Sequence, residues 1–350
     1  MAWSRRSAVW LAPVLVIGGV AAGAALASSG ASGAVPTLAP RTPAQVLTAI
    51  QTDAATAFSG KVTESAHLGL PELPGDSSSA SLSWQSFVTG SHSLRVWVDG
   101  PAKQRVAVIG SLSEADVIHN GRNLWTYTSD SNTVTHTVLP QHEASTQQPD
   151  LTPAALTDRL LKAITPTTSV TLGANRTVAG RAAYTLVIAP RDSRSTISKI
   201  TIAVDSRHFV PLQLQVFGTS STPAFQIGFT QISFTTPAAS TFNFHVPAGA
   251  SVSSNPFTER RHEHFAGPPM GMPGRHARVI GSGWTAVLEV QNGFRVLPGQ
   301  LDQMTTAVGN TGQRLLHTAL VNAVLMPDGR MFVGAVKPAA LEHIAATTPG

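Results

Sequence analysis

The side chains of this chain best suited to chemistry lie in one stretch: His262, Glu263 and His264, followed by Met270, Met272 and His276. Imidazole and thioether groups suit a soft or borderline transition metal. Their spacing fits no tetrahedral site, and the stretch is broken by Pro256, Gly267-Pro268-Pro269, Gly271 and Pro273-Gly274. It therefore reads as a solvated linker, and no metal is expected. Elsewhere the sequence has no G-x-S-x-G elbow, no H-E-x-x-H, no P-loop and no G-x-G-x-x-G. Its 19 acidic residues form no pair in a setting for acid–base work. Serines and histidines are dispersed along strand-like and turn-like segments. There is no cysteine, which excludes disulfides, thiolate zinc sites, a cysteine nucleophile and lipid modification at an N-terminal cysteine. The expectation is a protein that is not an enzyme and needs no cofactor.

What remains is apolar. A sheet that bends around helices can pack them fully, giving an ordinary core, or can leave a cavity that buries a ligand. Trp97, Trp125 and Tyr127, with Leu186, Ile202, Leu214 and Phe229, are the candidate wall of such a cavity. Composition and spacing leave core and cavity both open for each of them.

The charge pattern narrows the partners. The net charge is +5, but Arg5 and Arg6 sit at the N-terminus and Arg260, Arg261, Arg275 and Arg278 lie in the linker region. A phosphate-binding face needs lysine and arginine clustered on a folded surface, and none is visible, so nucleic acid is not an expected partner. Only 12% of residues are charged, about half the usual share for soluble domains.

These side chains need elements to hold them. Residues 1–30 have the parts of an export signal: Arg5-Arg6, an apolar run from Ala8 to Leu26, and Ala25-Leu26-Ala27 as a cleavage site. The run is also just long enough to span a bilayer, so cleaved signal and retained membrane anchor both stand. Thr42-Pro43 opens a helix whose stripe is Val46, Leu47, Ile50, Ala54 and Ala57. The Pro/Gly/Ser-rich stretch 66–92 reads as a connection. Strands follow at 94–98, 105–109, on both sides of Asn120-Gly121 within 116–128, and at 134–138. A second helix is expected over 152–164. Further alternating strands run at 184–188, 200–204, 212–216 and 225–234, the last with a bulge because Phe225, Ile227 and Phe229 are out of phase with Ile232 and Phe234.

Residues 249–278 form the linker, and 279–350 a small second domain. That domain should hold a strand at 284–290, a helix over 298–316 (Leu301, Met304, Val308), a hairpin across Pro327-Asp328-Gly329 and a helix from Lys337-Pro338. The fold class expected is α+β: a curved antiparallel half-barrel covered by helices over 40–248, plus a small C-terminal α+β domain.

Several stretches carry a family resemblance: Leu94-Arg95-Val96-Trp97-Val98-Asp99-Gly100-Pro101, Asn123-Leu124-Trp125-Thr126-Tyr127, and Val204-Asp205 through Pro211-Leu212-Gln213-Leu214-Gln215-Val216. Over residues 42–247 the chain resembles the periplasmic lipoprotein carriers of the LolA type and their mycobacterial lipid-carrier relatives, and these stretches look like those of actinobacterial members. The added C-terminal domain resembles the layout of RseB-type periplasmic regulators, which sense lipid-type ligands and bind a membrane protein. The resemblance implies an exported protein of the cell envelope, secreted or anchored. It would bind a lipid or acylated lipoprotein in an apolar cavity, as a carrier or, alternatively, as a sensor with a membrane partner protein. A structural envelope protein with a filled half-barrel is the third reading. No catalytic residues exist in that family to carry over.

Overall fold

A computed structural model describes residues 35–69, 90–110, 113–139, 167–254, 277–291 and 304–349. The export signal or anchor at 1–30, the helix over 152–164 and the His262–His276 cluster lie outside the described residues. So does most of the linker.

The fold is mostly β. Twelve strands form one sheet: β1 (Ala57–Ala66), β2 (Gly90–Asp99), β3 (Lys103–Ile109), β4 (Glu114–Asn120), β5 (Asn123–Thr128), β6 (Thr133–Val138), β7 (Thr168–Val178), β8 (Arg181–Pro190), β9 (Lys199–Asp205), β10 (Pro211–Phe217), β11 (Phe225–Ser233) and β12 (Ser251–Ser254). Their order is β12-β6-β5-β4-β3-β2-β1-β11-β10-β9-β8-β7. All neighbours are antiparallel except β12, which lies parallel to β6. The chain thus lays down two antiparallel runs, β1 to β6 and β7 to β11, and joins them where β11 returns to β1. The bulge expected in β11 is present: Val62 faces Phe229 while Lys61 faces Gln231, leaving Thr230 as the extra residue.

Helix α1 (Pro43–Thr52) is shorter than the apolar stripe suggested. Its N-terminus is held by a capping box between Thr42 and Gln45. It stops at Asp53, and Ala57 begins β1 rather than ending a helix. The tertiary context decides this: Ala57 pairs with Asp99 at the end of the β1–β2 ladder. Val46 and Ala49 pack α1 on Tyr184, Leu186 and Val204, and the Tyr184 hydroxyl donates to the Ala39 carbonyl just before the helix.

A second sheet of six antiparallel strands comprises β13 (Ala277–Ile280), β14 (Val287–Val290), β15 (Thr306–Val308), β16 (Gln313–His317), β17 (Asn322–Leu325) and β18 (Met331–Gly334), in the order β13-β14-β18-β17-β16-β15. Helix α2 (Pro338–Thr347) buries Leu341 and Ala345 against Val287, Val324 and Phe332. The helix expected over 298–316 is corrected from Met304 onward: Val308 lies in β15 and Leu315 in β16. The turn between them contains Gly309 and Gly312, both at positive φ, a conformation that ends a helix and suits a hairpin. The strand expected at 284–290 is confined to β14, after a short 3-10 turn at Gly283–Thr285.

The second sheet docks on the first through backbone bonds. Thr196 N–H donates to the Ala335 carbonyl, Ala319 N–H to that of Leu68, and Lys337 N–H to that of Arg194. Trp284 adds an indole donor to the Thr168 hydroxyl.

Candidate functional site

Antiparallel register places residues from distant parts of the sequence side by side. Leu172 faces Leu186, which faces Ile202, then Leu214, Ile227, Glu64 and finally His92. Directly opposed residues share one face of a sheet. This row therefore crosses seven strands, from β7 through β8, β9, β10, β11 and β1 to β2, on a single face. Helix α1 covers its Leu186 end. One step along the strands lie Phe229, Val62 and Leu94, also in direct register and buried.

Between the two ends is a shallow apolar groove of about 40 Å³, lined chiefly by Val62, Leu212, Leu214, Ile227 and Phe229. It is a groove on the sheet face, open to solvent on one side. Four of the expected wall residues, Leu186, Ile202, Leu214 and Phe229, are brought together on this face. The other three are not with them. Trp97 faces Arg105, which faces Ile118, then Trp125 and His136, a second row on the opposite face. Tyr127 is two residues from Trp125 on that same face.

The opposite face has its own cover. Trp125 stacks on His136 with ring centroids 3.8 Å apart, and Phe244 lies against both Trp125 and Tyr127. The Phe242 ring is fully buried, and the carbonyl of that residue accepts a bond from the Asn120 amide. Arg105 forms a two-pronged pair with Asp116 and sits over the Trp97 ring. A further polar layer lies farther along the sheet: Arg176 donates to Thr185, Gln213 and Gln215. These contacts hold the sheet together. Among the described residues no group of three or more histidines, aspartates or glutamates could hold a metal.

Sequence reasoning missed the polar end of the apolar row. Glu64 and His92 are 3% and 7% exposed and directly opposed across β1 and β2. The Glu64 Oε1 atom and both ring nitrogens of His92 have no hydrogen-bond partner. Burial pushes the Glu64 carboxyl up to about 8 and the His92 imidazole down to about 3, so both are neutral at pH 7. A glutamate in the inward phase of Val62-x-Glu64-x-Ala66 was the available signal, because it interrupts the apolar alternation of an otherwise buried strand.

No family model matches the chain, and no curated protein matches it. Among solved structures the chain is similar to the complex of MucA and MucB from Pseudomonas aeruginosa, with 16% identity over 87% of this chain and 96% of that one and a TM-score of 0.45. It is also similar to an uncharacterized conserved protein from Thermus thermophilus, at 12% identity over 60% of this chain and 98% of that one, TM-score 0.37. A LolA superfamily protein from Nitrosomonas europaea has 12% identity over 59% of this chain and 99% of it, TM-score 0.24.

Proposed function

We propose that this chain is an envelope protein of the LolA/RseB type, of the actinobacterial branch, that binds a lipid or protein-linked acyl chain on the apolar face of its large sheet. The single observation that carries the reading is the row Leu186–Ile202–Leu214–Ile227 with Phe229 beside it, continuous across four strands and opening into a pocket. An acyl chain laid along this row gains about 0.8 kcal/mol for each methylene removed from water. Each methylene that the face covers therefore adds driving force without any charged anchor. The sheet with helix α1 over one end is read as the half-barrel of a carrier, and 279–350 as a separate small domain. Export by residues 1–30, with either cleavage or retention, belongs to the same reading, and so does a role without catalysis.

A second reading is a sensor that binds a membrane protein. The docking of the second sheet through Thr196, Ala319 and Lys337 favours it, because a simple carrier needs only the large sheet.

The test uses an environment-sensitive apolar dye displaced by lipid. The native protein is expected to bind the dye and release it to a diacyl lipid. Phe229→Glu, which puts a charge into the pocket, should lower dye affinity tenfold or more. Equal dye binding by Phe229→Glu would contradict the assignment of this face.

A further inference from the structure

The lipid reading leaves Glu64 and His92 unused. Two neutral polar side chains, both more than nine-tenths buried, face one another across β1 and β2 with three atoms lacking partners. Opposed side chains in an antiparallel pair have Cβ atoms about 4.5–5.5 Å apart, so the two can reach one small group together. Leaving buried polar atoms unpaired costs about 1–3 kcal/mol each. A protein gains nothing in stability from such a pair, whereas a bound group that satisfies it gains the hydrogen bonds in a dry setting.

The surroundings specify the group. Ile227 faces Glu64 in register, and Val62 and Leu94 are the next residues on this face, so the pair borders the apolar pocket. The cations nearest in sequence, Lys61 and Arg95, face each other one residue out of phase and belong to the opposite face. Neither of these two cations offers an anionic headgroup a counter-charge on this face, and an unpaired charge would oppose burial. A protonated carboxyl donates one hydrogen and still accepts, and a neutral imidazole donates one and accepts one. That set matches hydroxyl and ester oxygens.

Resting on the lipid reading above, we propose that Glu64 and His92 form the polar end of the ligand site and take the uncharged hydroxyl and ester oxygens of an acylglycerol-type lipid, whose chains lie along Ile227, Leu214 and Phe229. The site therefore selects neutral glycerolipids over phospholipids of the same chain length.

The experiment measures binding of dioleoylglycerol, dioleoyl phosphatidic acid and a long-chain alkane by displacement of an apolar dye from the full chain. The native protein should prefer dioleoylglycerol to the other two by about tenfold or more. Glu64→Leu/His92→Leu should lose that preference while holding the alkane as before. It should also melt no lower than the native protein, since replacing an unsatisfied pair by apolar groups removes a cost. His92→Gln, which keeps a donor and an acceptor, should retain part of the preference. A double variant with the native preference intact overturns the proposal, as does a native protein that favours the phosphatidic acid. If no lipid and no alkane displaces the dye, the lipid reading itself falls and the proposal falls with it.

Discussion

Glu64 and His92 set a pH dependence whose sign follows from their shifts. The folded chain keeps a proton on Glu64 up to about pH 8, whereas an ordinary carboxyl loses it near 4.5. Its contribution is therefore full below 4.5 and is lost as pH rises toward 8. His92 stays neutral down to about pH 3, whereas an ordinary imidazole charges near 6.5, so its contribution is lost as pH falls from 6.5. Between 4.5 and 6.5 the two slopes cancel, each being about 1.4 kcal/mol per pH unit. Urea unfolding should show a plateau there and a fall of about 2 kcal/mol between 6.5 and 8. Glu64→Gln should abolish the fall above 6.5; an unchanged alkaline limb in that variant would contradict the assignment. The interrupted alternation at Glu64 was the one sequence signal, and it is weak, because a buried glutamate in a strand looks like a solvent-facing residue of a strand read in the other phase. The aromatic residues Trp97, Trp125 and Tyr127 were legible as strand residues, but their common face emerges only from register across four strands.

At the scale of elements, strands with strict alternation were readable and those marked by polar residues were not. β8, β9 and β10 carry aliphatic residues at every second position, and Asn120-Gly121 announces the β4–β5 turn. β7 was missed because its apolar phase, Val170, Leu172 and Ala174, is short and broken by Arg176, and its register shifts between Gly173 and Arg176. The β7–β8 turn was signalled only by Gly180, at φ 73°, while Ala179 beside it adopts φ 49°, a conformation that asparagine or glycine usually takes. Helix α1 was located correctly at its start by Thr42-Pro43, and its end was overrun because Ala54 and Ala57 extend the helical spacing into the next strand. The capping box supports a direct prediction. The Thr42 hydroxyl accepts from the Gln45 N–H at 3.2 Å, and the Gln45 side chain accepts from the Thr42 N–H at 2.8 Å. Thr42→Ala should cost about 1 kcal/mol, read as a lower urea midpoint, with the loss of amide protection concentrated in α1. Loss spread evenly over the sheet would argue against a local role for the cap.

The described residues form two sheets held together by a short seam. The Pro/Gly-rich composition of 249–278 and the hairpin signal at Pro327-Asp328-Gly329 pointed to a second unit after the first, but composition contains no trace of how it docks. The seam is tight at Gly218, where an added Cβ would sit 2.4 Å from the Ala319 carbonyl oxygen. Gly218→Ala should therefore weaken docking by about 1–3 kcal/mol, measured as faster hydrogen exchange at the Thr196 and Ala319 amides while the amides of β8 and β9 stay protected. Retained protection at the seam would mean that the backbone yields without separating the sheets.

On the proposed function, the apolar face of the large sheet holds a lipid. The most direct measurement is native mass spectrometry of the protein purified from its own envelope, followed by solvent extraction of whatever is bound. The expected result is a bound species of lipid mass, retained by the native protein and lost from Phe229→Glu. A bare protein that also takes up no added lipid would contradict the account and leave the large sheet as a filled structural scaffold.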